Sequence, residues 1–155
     1  MEIFHASKEI IKNPKIIEGF RTKDFGFGFY CTNIFKQAEK WAIRFNSDGF
    51  VNEYTYNPTD NLKIKNFVDI DTEWIEFVMK CRSGMKHNFD IVEGAMANDT
   101  VYNYIQDFQD KKISLSALLE LIKFKKPTHQ ITFCSNIALQ TIKFKKSYFI
   151  KNDIC

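Results

Sequence analysis

"DFGFGFYCT", residues 24–32, sets two glycines among aromatics in a chain that has only six glycines in all. Glycine has no Cβ, so Gly26 and Gly28 allow positive φ and a close approach of backbone to a neighbour. One reading is a tight turn that sends Phe29 and Tyr30 into the core. The other is a loop that holds Tyr30 as the wall of a pocket. A kinase comparison fails, because no lysine strand or HRD loop accompanies the DFG. A dinucleotide fold fails as well, since the third glycine is missing and no long strand precedes the pair.

Composition limits what this loop belongs to. A chain of 155 residues is expected to form one domain, residues 1–155, with a single substantial core. The hydrophobic fraction of 45% and the sixteen phenylalanines mark a folded globular protein and exclude disorder. No apolar run approaches the roughly 18 residues of a membrane span. The opening Met1-Glu2-Ile3-Phe4-His5 lacks signal-peptide character, so a cytoplasmic location without membrane attachment is expected. The four cysteines and three histidines are scattered, and no metal site is predicted from their spacing.

Charge is unevenly distributed along the chain. Residues 1–110 hold 13 basic and 17 acidic side chains, whereas residues 111–155 hold 9 lysines and 2 acids. Lys123, Lys125, Lys126, Lys143, Lys145 and Lys146 read either as solvated flanks or as a surface for nucleic acid.

Periodicity predicts an α+β chain of short elements with no βαβ succession. "MEIFHAS" reads as a strand, and Thr32 or Asn33 caps a helix through about Asn46. "FVNEYTY", "LKIKNFVDI" and "FDIVEG" read as strands, with a helix capped by Asp71 or Thr72 between the last two. Asn98-Asp99 begins another helix, Ser114 to Phe124 a further one. "HQITFCS", a short helix from Ser135 and the strand "SYFIK" complete the chain.

"FHAS", "GFGFYCT" followed by a helix, and "HQITFCS" together resemble the three spaced motifs of the ADP-ribosyltransferase superfamily, in the His-Tyr-Glu branch of the poly(ADP-ribose) polymerases and diphtheria toxin. The chain from Ile3 to Ile150 is similar to a small bacterial family of unknown function in that superfamily, marked also by Trp41-Ala42 and "NDTVY" at 98–102. The resemblance implies split β-sheets with flanking short helices, with NAD bound as substrate. On it, His5 hydrogen-bonds the adenosine ribose, and Ala6, in place of a family glycine, holds the nicotinamide carboxamide through its backbone. Ser7 matches the serine that follows, and Gly28 shapes the loop. Tyr30 stacks on nicotinamide, while Arg21 and Lys23 are placed to meet the diphosphate. Taken alone, His5 equally reads as a hydrogen-bonded core histidine, and Arg21 and Lys23 as solvated cations.

The catalytic glutamate of the branch matches Gln130, which keeps a hydrogen bond and loses a charge. A carboxylate about 4 Å from a developing cation is worth on the order of 4 kcal/mol at an effective dielectric near 20, or roughly a thousandfold in rate. Glu93 and Asp99 are the candidate substitutes, although Asp99 also suits a helix cap and Glu93 a solvent-facing position. The expected function is mono-ADP-ribosyl transfer to a protein or nucleic-acid acceptor, with NAD hydrolysis in its absence. A toxin-like role would bring a neutralising partner protein. The alternatives are an inactive NAD- or ADP-ribose-binding module and a nucleic-acid-binding protein.

Overall fold

The structure, a computed structural model, describes residues 1–19, 23–123 and 127–153. Among them twelve elements follow one another: β1 (Glu2–Ser7), β2 (Phe29–Cys31), α1 (Phe35–Ala42), β3 (Gly49–Tyr56), β4 (Ile64–Asn66), α2 (Thr72–Arg82), β5 (Ile91–Gly94), α3 (Asp99–Gln109), α4 (Leu115–Lys123), β6 (Gln130–Phe133), α5 (Asn136–Leu139) and β7 (Ile142–Ile150). They form an α+β fold with two sheets, β1-β3-β7 and β2-β6-β5-β4.

Alternation along the strands decides the layers, because successive side chains leave opposite faces. Ile3, Tyr54, Tyr56 and Ile142 of the first sheet meet Phe29, Cys31, Ile91, Ile131 and Phe133 of the second in a core between them. Phe4, Ala6 and Val51 point the other way, onto Ala38 and Ala42 of α1. The far face of the second sheet, with Val92, is covered by Trp74, Ile75 and Val78 of α2, Val101 and Ile105 of α3, and Leu118 and Ile122 of α4. All but one of the pairings between these strands are antiparallel. The parallel pair is β4 with β5, joined by α2, so the chain does contain one βαβ unit that its sequence pattern does not reveal.

Helix ends follow their caps. Asp71 accepts from Trp74 N–H at 2.9 Å, and Asn98 accepts from Val101 N–H at 3.0 Å. The cap of α3 is therefore Asn98, with Asp99 in its first turn. The N-cap of α1 is Ile34, without a side-chain cap; Thr32 Oγ1 instead accepts from Ile34 N–H one turn earlier. That helix stops at Ala42, short of the predicted Asn46. The Lys8 ammonium donates to the carbonyls of Ala42, Ser47 and Asp48, and Asn46 takes a left-handed φ of 54°.

β7 is longer than "SYFIK" suggests, because pairing with β3 recruits Ile142–Lys146 across a register shift at Glu53/Tyr54. The pairing also brings acids of the N-terminal half to the basic C-terminal third. Lys145 contacts Glu53 at 2.9 Å and Glu2 at 3.4 Å, and Lys146 reaches Glu53 at 3.9 Å; Lys123 pairs within its own helix with Glu120 at 2.5 Å. Lys125 and Lys126 lie outside the described residues. Lys145 and Lys146, like Lys112 beside Asp107 and Asp110, thus meet acids from the first 110 residues on the folded surface.

Candidate functional site

Among the described residues the two sheets, packed face to face, share a single backbone bridge. Phe4 N–H donates to Thr32 C=O at 2.8 Å, and Thr32 N–H donates to Phe4 C=O at 2.9 Å. Residues of an antiparallel strand direct their N–H and C=O alternately toward and away from the partner. β1 pairs with β3 in unbroken register, so Ala6, like Phe4, turns both backbone groups away from β3. Continuing the bridge by two residues would set Ala6 opposite Tyr30, but β1 and β2 part there. Ala6 consequently presents a free N–H and C=O at the fork, with no ladder partner among the described residues.

His5 spans the fork from the other side. Its Nδ1–H donates to Tyr30 C=O at 2.6 Å, and its ring stacks on Phe29 with centroids 4.1 Å apart. A carbonyl only accepts, so Nδ1 carries the proton and Nε2 is left as an acceptor without a partner among the described residues. Burial, reinforced by the Lys23 charge and opposed by the bond to Tyr30, depresses the His5 pKa from its ordinary 6.5 to about 4. Between these values the unfolded chain binds a proton that the folded chain rejects. The stabilising contribution is therefore complete above about pH 6.5 and is lost as pH falls toward 4. Urea midpoints at about pH 7.5 and about pH 5 should show this fall, and His5→Gln should flatten it. An unchanged slope in His5→Gln would assign the acid sensitivity elsewhere.

Tyr30 is fixed by its own loop. Its hydroxyl donates to Gly26 C=O at 2.6 Å and accepts from Phe25 N–H at 3.1 Å, and burial raises its pKa. The Lys23 ammonium sits 4.7 Å from the ring centroid. Burial and the neighbouring Arg44 lower the Lys23 pKa, and the Lys23 charge in turn acts on His5. Gly26 makes the turn at φ 80°. Gly28 answers a different need: a Cβ there would stand 2.6 Å from Thr132 Cγ2 and 2.7 Å from Phe133 O. The two glycines thus fold the loop back and seat it on β6.

Directly opposite residues share a face, and Tyr30 opposes Thr132. Gln130, two residues along β6, therefore lies on the face of Tyr30, about 7–8 Å away on the diagonal. It is 3% exposed, and its Nε2 donates to Asp24 Oδ2 at 2.9 Å and to Ala95 C=O at 3.1 Å. Asp24 is the residue that sequence reasoning missed. Its Oδ1 accepts from Arg82 Nε at 2.7 Å with Arg82 Nη2 at 2.5 Å, and its Oδ2 accepts also from Ala97 N–H at 2.7 Å. Arg82 in turn lies 4.0 Å from the Tyr102 ring centroid, drawing "NDTVY" into the same node. The only sequence signal for this was an acid placed immediately before the glycine loop.

Other candidates fall elsewhere. Ser7 Oγ donates to Glu9 C=O and accepts from Asn52 Nδ2 at 3.1 Å, fixing the exit of β1. Glu93 is only partly exposed: it accepts from His129 Nε2–H at 2.8 Å, while His129 Nδ1 accepts from Asn33 N–H. It emerges on the opposite sheet face from Gln130, in register with Ile131. Arg21 lies outside the described residues. A cavity of about 170 Å³ opens behind the loop between Gly26, Phe27, Cys81, Met85, His87 and Cys134. Both nitrogens of His87 are engaged there, by Phe25 C=O and Phe89 N–H. Burial pushes Cys81 up to about 11 and Cys134 up to about 12, so neither thiol supplies a nucleophile near neutral pH.

A family model described as "Protein of unknown function (DUF3990)" matches residues 1–144. The chain belongs to that family. The match takes in the fork, the glycine loop, the Asp24 node and Gln130 together. No curated protein and no solved structure matches the chain. Among the described residues no helix is long and apolar enough to cross a membrane.

Proposed function

We propose that the chain binds NAD at the fork and transfers its ADP-ribose to a macromolecular acceptor, or to water when none is present. The observation that carries this reading is the unpaired N–H and C=O of Ala6 opposite Tyr30. A flat primary carboxamide offers one acceptor and one donor, the complement of one exposed edge residue. The His5 Nε2 acceptor suits a ribose hydroxyl, and the Lys23 charge beside it, with Arg44 near Lys23, suits a diphosphate. The three- and four-stranded sheets joined at one bridge support the split-sheet fold of the ADP-ribosyltransferases.

Transfer breaks the bond from ribose C1′ to the nicotinamide nitrogen, whose electron pair leaves with nicotinamide, and forms a bond from C1′ to the acceptor. The chain contributes orientation at Ala6 and Tyr30. It also contributes an acceptor at Gln130: with Nε2 committed to two groups that only accept, Oε1 faces away from them and accepts nothing among the described residues. A 2′-hydroxyl donating to that oxygen would find the negative end of a fixed dipole as positive charge develops. The near-complete burial of Gln130 favours a second reading, a module that binds NAD without cleaving it.

Ala6→Pro separates these ideas from a purely structural role. Proline removes the N–H at the fork, and the ladder to β3 loses nothing because that N–H points away from it. NAD is expected to raise the thermal midpoint of the parent chain by mass action and to leave Ala6→Pro unmoved. An equal shift in both would end the assignment of the fork. Nicotinamide release by the parent distinguishes transferase from binding module.

A further inference from the structure

We propose that Asp24 is the positioning residue of this site, a buried carboxylate that orients Gln130 and lends it charge at one hydrogen bond's remove. The proposal rests on the transferase reading. Asp24 is 4% exposed and receives N–H groups from Arg82, Ala97 and Gln130 on both oxygens. A carboxylate has about four acceptor sites, so Asp24 is filled and has none left for substrate. It acts through its neighbour. The two hydrogens of Gln130 Nε2 are claimed by Asp24 and Ala95 C=O, which removes the usual twofold freedom of an amide and leaves Oε1 as the acceptor with no partner among the described residues. An anion bonded to the amide N–H pushes electron density toward Oε1, and in a low-dielectric interior such polarisation strengthens the next hydrogen bond in the chain.

This placement explains why glutamine, and not glutamate, stands at this position. The carboxylate already present beside it is Asp24, and neither Glu93 nor Asp99 is its neighbour. A glutamate in place of Gln130 would set an oxygen where Nε2 now lies, 2.9 Å from Asp24 Oδ2 and 3.1 Å from Ala95 C=O. The charge that an isolated comparison of motifs would restore is, in this fold, a second like charge in one buried site.

The test is a swap of the two residues in the full chain, followed by thermal midpoints with and without NAD and by nicotinamide release in the presence of a cell extract as acceptor. Gln130→Glu alone should lower the midpoint and slow release at least tenfold. Asp24→Asn alone should slow release about tenfold through kcat, with KM for NAD held within about twofold; a merely structural loss would instead reduce the amount of folded, NAD-binding protein. The double variant, Asp24→Asn with Gln130→Glu, carries one carboxylate again, and the introduced amide can donate an N–H to it. It should be more stable than Gln130→Glu and release nicotinamide at least tenfold faster, so that a substitution harmful alone becomes helpful in company. Additive losses in the double variant, with an active parent, overturn the role of Asp24 and leave the transferase reading standing. A parent that binds NAD and releases no nicotinamide overturns both.

Discussion

Asp24→Ala is expected to destabilise the fold by about 3–5 kcal/mol, the range for stripping one partner from a buried ion pair. The loss has several sources that act together. Arg82, whose side chain is 26% exposed, keeps its charge and loses both contacts to Oδ1. Ala97 N–H and the Gln130 amide lose their shared acceptor at a buried position. Because Asp24 belongs to the loop, Arg82 to α2, Ala97 to the segment before α3 and Gln130 to β6, the same change unfastens four parts of the chain. Urea unfolding at neutral pH measures the effect. Combining it with Arg82→Met should lose less than the sum of the single changes, since the charge that Asp24 balanced is then gone as well. A loss under about 1 kcal/mol for Asp24→Ala would show that the node contributes little.

Gly28→Ala should destabilise by about 3 kcal/mol, at the upper end of the usual range for overpacking. The added methyl would meet Phe133 O at 2.7 Å and Thr132 Cγ2 at 2.6 Å. Thr132 has a rotamer to surrender, but Phe133 O belongs to the backbone of β6 and moves only if the β2–β6 pairing opens. Gly26→Ala makes the useful contrast. Its nearest neighbour would be His87 Nε2 at 3.7 Å, so only the left-handed φ of 80° opposes it, worth about 1–2 kcal/mol. Thermal or chemical denaturation of the two variants should therefore rank them, Gly28→Ala the worse. The reverse order would mean that the turn, and not the seat on β6, is the demanding feature of the loop.

Local chemistry was well legible in the sequence. Asp71 and Asn98 cap their helices because a short acceptor side chain before an amphipathic run satisfies free N–H groups, a relation confined to near neighbours in the chain. The glycine loop was legible as a close approach for a similar reason, since what glycine permits is a property of the residue itself. The cap of α1 was misread: Thr32 has the right chemistry but is spent on Ile34 N–H one turn early, in a stretch already fixed by the bridge to Phe4. Of the predicted site, His5 bonds the Tyr30 carbonyl at the fork with Ala6 beside it, Gln130 is tied to Asp24 and Ala95 C=O, Ser7 is bound into the exit of β1, and Gly28 seats the loop on β6.

The sequence by itself determined the composition of the core, the α+β alternation and the identity of the loop that matters, because each rests on interactions among near neighbours or on what a single side chain can do. Only the tertiary structure decided where charge resides. Asp24 meets Arg82 across 58 residues and Gln130 across 106, and Lys145 finds Glu53 on an adjoining strand. Coulombic and hydrogen-bond energies depend on distances that chain order does not encode, so an aspartate beside a glycine loop reads as part of a turn until β6 and α2 are folded around it. The fork has the same origin: Ala6 is an ordinary strand residue until β1 pairs with β3 on one side and departs from β2 on the other.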